Sequence, residues 1–476
     1  MEKQKYSKKK VNYFRYRKMG DKHLITNDFG NFAVLSGMDY ATYVAGKIPE
    51  TSALFAELAQ KGFIKDRMNF AELIRKFQSK NAFIKLGPSL HIIVVTLRCN
   101  HTCLYCHASS GPEKNKELDM PVDLAKDVVD AIFKTNNQNI NIEFQGGEPL
   151  LNWDVVKFII EYSREKQKID KKNVQLSLVS NFSLMTDEKL NFLLKNQVSL
   201  STSFDGPSAV HNKNRVYLAG NSYENVVKWL KKSLRLYKKN CQTFLPGALT
   251  TITRYTLPYY KELVDEYVSL GLPNIYIRNL NPFGFAKKTW EQIGYTPEEF
   301  IDFYKKSMEY IIGLNLKGKK IREQLAVTFL TKILTDHDPN HMDYRSPCGA
   351  GIGQVAYNYN GDIYTCDEGR MFGRVGDDSF KMGNVRENSY KEIMESDVVK
   401  SMCLASCLDA IPGCNECAYK PYCGVCPVYN YSEQGNIFGQ MPTNGRCKIN
   451  MAVFDYLFEK MQDKKVKMIF EEWVRV

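Results

Sequence analysis

Cys99-Asn-His-Thr-Cys103-Leu-Tyr-Cys106 leaves the strand-like run His91–Leu97 and decides how the rest of the chain is read. Three thiols in a C-x3-C-x2-C spacing on one tight loop can hold three irons of a cubane 4Fe–4S cluster and leave the fourth iron open. A structural zinc site would need a closed set of four ligands, which His101 or His107 could complete. Outward from this loop, strands alternate with helices. The runs His91–Leu97, Ile140–Phe144, Val174–Val179, Leu200–Phe204, Ala248–Thr253 and Asn274–Leu280 read as strands. Val122–Lys134, Asp154–Lys166, Asp187–Lys195, Tyr223–Lys238, Tyr259–Leu270 and Pro297–Leu314 carry helical periodicity. Six βα units in series predict a parallel α/β sheet, doubly wound or curved into part of a barrel, with ligands at the carboxyl ends of the strands. The unusual residues fall at those ends: Arg98-Cys99, Gln145-Gly-Gly-Glu-Pro149, Ser180-Asn181 and Asp205-Gly206.

Composition narrows the class. The chain has 476 residues, 44% hydrophobic and 12% aromatic, which excludes a disordered or fibrous protein. The basic start MEKQKYSKKK is followed by no apolar segment of signal-peptide length, and no apolar run approaches the ~20 residues of a membrane helix. A cytoplasmic protein is the expectation, and there clustered cysteines are metal ligands sooner than disulfides. The first 19 residues, with eight Lys or Arg and one Glu, read as a solvated basic tail or a polyanion-binding arm. Residues 11–84 read as a separate small module, with strands Asn12–Arg17, His23–Thr26 and Phe32–Leu35 before helices Met38–Ala45, Glu50–Lys61 and Phe70–Gln78.

The 13 cysteines are unevenly placed: three in the loop, Cys241 alone, and nine between Cys348 and Cys447. The C-terminal set runs Cys348, Cys366, Cys403, Cys407, then Cys414-x2-Cys417-x5-Cys423-x2-Cys426, with Cys447 beyond. Two four-ligand clusters would use eight, and a paired zinc ribbon is the structural alternative. Cys241 reads as a structural thiol.

The Cys99–Cys106 loop is the signature of the radical S-adenosylmethionine (SAM) enzymes, which the chain resembles. The C-terminal cysteines resemble the SPASM extension of radical enzymes that mature peptides and proteins, although Cys423-Gly-Val-Cys426 has two residues where that pattern most often has three. Over residues 12 to 460 the chain is most similar to the His-Xaa-Ser system radical SAM maturases of B type. Gln145–Leu150, Leu280–Lys288, Cys348–Gln354, Tyr364–Arg370 and Cys423–Tyr431 carry that likeness.

The resemblance implies a partial (β/α)6 TIM-like barrel at 87–320, with a small winged-helix-like α+β module at 1–86. A linker with a bridging helix follows at 321–347, the SPASM domain at 348–450 and a C-terminal helix at 451–476. It assigns Cys99, Cys103 and Cys106 to the radical cluster. Gly146, Gly147, Glu148 and Pro149 would take the methionyl ammonium, Ser180 and Asn181 the ribose, Arg215 the carboxylate, and Tyr105 would lie beside the adenine. For Ser180 and Asn181 a strand-end cap, for Arg215 a surface salt bridge, and for Tyr105 core packing are the bland alternatives. Cys414, Cys417, Cys423 and Cys447 would hold an outer auxiliary cluster, and Cys348, Cys366 and Cys426 an inner one, with Cys407, Cys403 or an open iron in fourth place. Asp367 would act as base, or be salt-bridged within Asp367-Glu-Gly-Arg370. The implied cofactors are SAM and three 4Fe–4S clusters. The implied partners are a ribosomal precursor peptide whose leader sits on the N-terminal module, an electron donor such as flavodoxin or ferredoxin, and a second maturase of the same system.

The expected activity is reductive cleavage of SAM and oxidative modification of that peptide. A sulfatase-type maturase forming formylglycine is a second reading, to which Asp367 points. A zinc-containing nucleic-acid-binding protein is a third, suggested by the net charge of +12 and the paired cysteines.

Overall fold

A computed structural model of the protein describes residues 10–475, so the first nine residues of the basic tail lie outside the described residues. Six parallel strands, Leu90–Thr96, Asn139–Gly146, Asn173–Ser180, Val198–Ser203, Gly247–Thr251 and Ile277–Arg278, pair in chain order. Sequential order excludes the doubly wound alternative, whose order reverses at a switch point. Helices Val122–Ile132, Trp153–Asp170, Asp187–Lys195, Ser222–Lys239, Tyr260–Ser269 and Pro297–Leu316 accompany them. The first strand, Leu-His-Ile-Ile-Val-Val-Thr, is buried along all but its first residue, as a strand covered on both faces must be.

The sheet does not close. The free edge of the first strand pairs in parallel with Gln354–Tyr357, and the antiparallel strands Asp362–Tyr364 and Lys381–Asn384 continue it to nine strands. The cysteine-rich segment is therefore built onto the barrel sheet. The linker supplies Arg322–Glu323, which pairs with Asn274–Ile275, and the bridging helix Gln324–Leu334. Fully buried Glu323 fixes this joint: its carboxylate accepts from Ile277 N (3.1 Å), Tyr304 Oη (2.7 Å), Leu325 N (3.1 Å) and Ala326 N (2.7 Å). Glu323→Gln, with one oxygen in place of two, is expected to lower stability by about 2 kcal/mol in urea unfolding.

The N-terminal module is a three-stranded antiparallel sheet, Arg15–Met19, Lys22–Thr26 and Phe32–Ser36, with helices Gly37–Val44, Ala53–Gln60 and Phe70–Lys80. Ser36, Ser52 and Asn69 cap the three helix starts through their side chains, and Ile25, Leu35, Tyr43, Phe55 and Phe63 form the core. One correction concerns the C-terminus. The expected boundary at 450 falls inside a helix, Gly445–Lys460, which begins before Cys447, and a second helix, Lys464–Trp473, follows. Asn444 caps the first of these, so the helix start lies at that Asn and not at the hydrophobic run beyond it.

Candidate active site

The carboxyl ends of the strands open into a cleft of about 550 Å³ that the barrel and the cysteine-rich domain line together. At its rim the Cys99–Cys106 loop is held by its backbone and its stem. Arg98 makes a two-pronged ion pair with Asp119 (2.8 and 2.6 Å) and donates to Glu113 O and Leu151 O. Thr102–Cys103 pairs with Arg215–Val216, Leu104 N donates to Asn214 O at 2.9 Å, and Phe285 N to Cys106 O at 2.9 Å. The three thiols are partly exposed and face the cleft. Burial and the neighbouring thiols push Cys99 well up, and burial takes Cys103 to about 11, so loading a metal there must displace protons.

Among the described residues no three His, Cys, Asp or Glu side chains converge on a point that suits a single ion. Three thiols on one loop that leave a fourth place open are a donor set for a cubane cluster, which needs only three protein thiolates. The two histidines do not complete a zinc site. His101 has both ring nitrogens within 3.0–3.2 Å of Asn181, Asn100 and Ser222, and stacks on Tyr217 at 4.5 Å. His107 is packed against Phe283 and Tyr105. Burial lowers both imidazoles to about 3.

Gly146 and Gly147 line the cleft, and their lack of a side chain serves the loop's stem. Gly147 N donates to Thr96 O (2.9 Å) and Glu148 N to Arg98 O (2.8 Å). A Cβ on Gly147 would stand 2.0 Å from Arg98 O, and one on Gly146, at φ +132°, would stand 2.2 Å from Thr96 O. Glu148 lies behind them, fully buried, and accepts from Leu150 N (3.0 Å), Ser180 Oγ (2.8 Å) and Asn181 N (2.8 Å). Pro149 is buried at the start of the following turn, Pro149–Asn152. Ser180 and Asn181 thus cap a strand end and line the cleft at once. The Asn181 amide also donates to Asn100 Oδ1 (2.9 Å), tying the third strand to the cysteine loop.

Arg215 is not a surface salt bridge. It is 8% exposed, donates to Tyr105 Oη at 2.7 Å, and its Nε has no hydrogen-bond partner. The Tyr105 hydroxyl donates to buried Asp205 at 2.7 Å, and the tyrosine ring lies under the guanidinium at 5.8 Å. Tyr105 therefore positions a buried cation at the cleft wall, and that polarity suits a carboxylate ligand.

Across the cleft, Asp367 is paired to Arg370, whose Nε and Nη2 both lie 2.8 Å from Oδ1. Glu368 beside it sits 3.8 Å from Arg278, and burial with Asp343 and Asp367 pushes it up to about 7. Sequence reasoning missed Glu143, Arg278, Asp343 and Arg446 on the same walls. Glu143 was reachable, since it stands two residues before Gln145 and so faces the same side of the strand. Asp343 and Arg446, ion-paired at 3.0 Å across 103 residues, carry no local signal.

Cys348, Cys366 and Cys426 are buried in one apolar cluster with Phe283, Met371, Phe380 and Tyr429. Each thiol is raised by burial, and Cys348 and Cys366 also by their neighbours in the trio. Cys403 and Cys407 lie outside that cluster; Cys403 is raised by burial and by Cys407. The chain beside them is laced to the trio, with Cys348 N donating to Ser406 Oγ and Leu408 N to Ser346 Oγ. Cys414, Cys417, Cys423 and Cys447 face a small apolar cavity of about 40 Å³ walled by Leu408, Val425, Met441 and Phe454, which Cys426 borders from the inner side. Four thiols around one apolar pocket are a donor set for a cluster. Cys241 is exposed after a helix end, not a structural thiol.

The chain matches the Radical SAM superfamily over residues 93–251 and the SPASM iron–sulfur cluster-binding domain over residues 348–427. It is 25% identical over 348 residues to the radical SAM cyclopropyl synthase TigE of Paramaledivibacter caminithermalis, covering 69% of each chain. The solved structure of native anSMEcpe with bound AdoMet superimposes with a TM-score of 0.65 at 19% identity, covering 80% of this chain and all of that one. SuiB of Streptococcus suis bound to the precursor peptide SuiA gives 0.52 at 13% identity, over 90% and 98% of the two chains. The cysteine loop on the first of six parallel strands and the nine-cysteine segment built onto the same sheet are the two parts of one architecture: the chain carries a radical SAM domain and a C-terminal SPASM domain, and the proteins it is similar to include radical SAM/SPASM maturases.

Proposed function

We propose that the protein oxidatively modifies, by cross-linking or a related loss of hydrogen, side chains of a ribosomally made precursor peptide of the His-Xaa-Ser type. The observation that carries this reading is one continuous cleft from Cys99–Cys106 to Asp367 and Glu368. Its walls run from the cysteine loop and Ser180 across to Tyr276, Asp343 and Glu368, so a peptide segment could approach a cofactor from the side of the cysteine-rich domain. SuiB, bound to a precursor peptide, shares the fold.

A 4Fe–4S cluster and SAM, when bound, supply one-electron cleavage of the sulfonium to methionine and a 5′-deoxyadenosyl radical. The residues here do the rest. Cys99, Cys103 and Cys106 would hold the cluster, with the auxiliary clusters on the C-terminal cysteines. Arg215, pinned by Tyr105, would take the cofactor carboxylate on its unpartnered Nε edge. Gly146 and Gly147 offer backbone for the ammonium, with Ser180 and Asn181 near the ribose. Asp367 stands at the far wall to take the proton that the oxidised side chain gives up. The sheet of the N-terminal module has two edges, Arg15–Met19 and Phe32–Ser36, on which a leader could add as a strand. A flavodoxin- or ferredoxin-type donor supplies electrons, and a second maturase of the same system is a further partner. A cytoplasmic setting suits the reduced thiols, and no helix of the described residues is long and apolar enough to cross a membrane.

The anaerobically reconstituted enzyme, given a His-Xaa-Ser precursor and a reductant, is expected to form 5′-deoxyadenosine and lower the peptide's mass by two hydrogens per event. An unchanged peptide with fully loaded clusters would overturn the substrate reading. Formylglycine on a sulfatase-derived peptide would replace it with the sulfatase reading. Arg215→Lys keeps the charge but loses the planar fork, and is expected to weaken SAM binding about tenfold in equilibrium dialysis.

A further inference from the structure

The turn Asn415-Glu-Cys-Ala418, which carries Cys417 to the outer cavity, is held from outside its own domain. Tyr13 Oη donates to Glu416 at 3.1 Å, Arg15 Nε to Asn415 O at 2.5 Å, and Thr26 Oγ1 to Ala418 O at 2.7 Å. Arg17 makes a two-pronged pair with Asp455 at 2.5 and 2.6 Å and lies 5.6 Å over the ring of Tyr419, two residues past Cys417. Tyr419 itself hydrogen-bonds Asp455. The N-terminal sheet thus delivers two guanidiniums to this region, one onto the Asn415 carbonyl 400 residues away and one onto Asp455 and the ring of Tyr419 just past the turn. The Arg15 side chain is only 4% exposed, so its charge is weakly screened there. Its carboxylate partner, Asp28, is half exposed.

We propose that Arg15 and Arg17 are positioning residues for the outer auxiliary cluster: they clamp the Asn415–Ala418 turn and raise the reduction potential of the cluster on Cys414, Cys417, Cys423 and Cys447. The inference rests on the four-cysteine reading above. Reduction adds one negative charge to the cluster, and nearby fixed cations favour the reduced form. A module expected to serve only peptide recognition would thereby also set the electron affinity of a distant centre.

The test is a redox titration followed by electron paramagnetic resonance, on full-length protein reconstituted to about twelve irons per chain. Cys414→Ala is the control for the reading: it should lose about four irons and one of the three signals. Full iron in Cys414→Ala would remove the four-cysteine reading, and the clamp with it. In the doubly substituted Arg15→Gln/Arg17→Gln protein, the signal absent from Cys414→Ala is expected at a more negative midpoint, the other two unmoved. Arg15→Lys/Arg17→Lys should restore most of the shift, which a merely structural role would not. Loss of that cluster in the glutamine protein and its retention in the lysine protein also supports the clamp. Three unmoved midpoints with full iron, or loss of the cluster in both proteins, overturns it.

Discussion

Replacing Cys99, Cys103 and Cys106 together by alanine is expected to abolish 5′-deoxyadenosine formation while the chain keeps its fold and about eight of roughly twelve irons. Activity goes because no other thiol among the described residues lines the cleft: the C-terminal cysteines sit in the buried trio, the apolar cavity and the Cys403–Cys407 segment. The fold survives because the loop does not depend on the thiols for its shape. The Arg98–Asp119 pair, the Thr102–Cys103 pairing with Arg215–Val216 and the Phe285 N–Cys106 O bond use backbone and stem groups that the substitutions leave alone. Sulfur is a weak hydrogen-bond partner, so the 3.4 Å contacts from His101 N to Cys99 and between Cys106 and Ser110 contribute little. Iron assay, circular dichroism and chromatography of the reaction check the three parts separately. Deoxyadenosine above the level of iron-free protein would show that the loop does not carry the radical centre. Unfolding of the triple variant would instead show that the bracing described here is insufficient.

The parts of this architecture that sequence reading reached are those with a local cause. Ile92-Ile-Val-Val95 can only be a strand covered on both faces, and the helices carry caps such as Thr186 and Thr296 beside apolar periods. The spacing of the cysteine loop is local too, whereas the division of the C-terminal cysteines into a trio and an outer four came from the resemblance to the SPASM extension. What escaped has non-local causes. Gln-Val-Ala-Tyr357 is a four-residue run with no pattern of its own, and it becomes a strand because the first barrel strand, over 260 residues earlier, has a free edge. The hydrogen bonds that Glu148 accepts from Ser180, Asn181 and Leu150 N were not legible either, since Ser180 and Asn181 come from the next strand end, over 30 residues on. Nothing in residues 10–36 says that the small module rests on the Cys417 turn, because that contact depends on how two distant segments meet.

Gly147→Ala is the substitution that separates the two explanations of the glycine pair. If the glycines exist to admit a cofactor, an alanine methyl would leave the unloaded protein as stable as before and impair only binding. The geometry gives a different expectation. The new Cβ would lie 2.0 Å from Arg98 O, 2.6 Å from Arg98 C and 2.8 Å from Leu97 C, all backbone atoms that no side-chain rotation can withdraw. Relief requires the Gln145–Glu148 segment to move off the stem. That breaks the Gly147 N–Thr96 O and Glu148 N–Arg98 O bonds and displaces the buried Glu148 carboxylate from three donors. Two hydrogen bonds and a disturbed buried acid amount to about 3–5 kcal/mol. Gly147→Ala is therefore expected to lose that much stability in urea even without iron, and to lose deoxyadenosine formation because the stem that carries Cys99 has shifted. Gly313→Ala is the matched control. It lies within the helix Pro297–Leu316 with nothing within 4 Å of the new methyl, and it is expected to gain roughly 0.5–1 kcal/mol with unchanged activity. An iron-free Gly147→Ala protein as stable as the parent would return the glycine pair to the cofactor and remove the stem from the explanation.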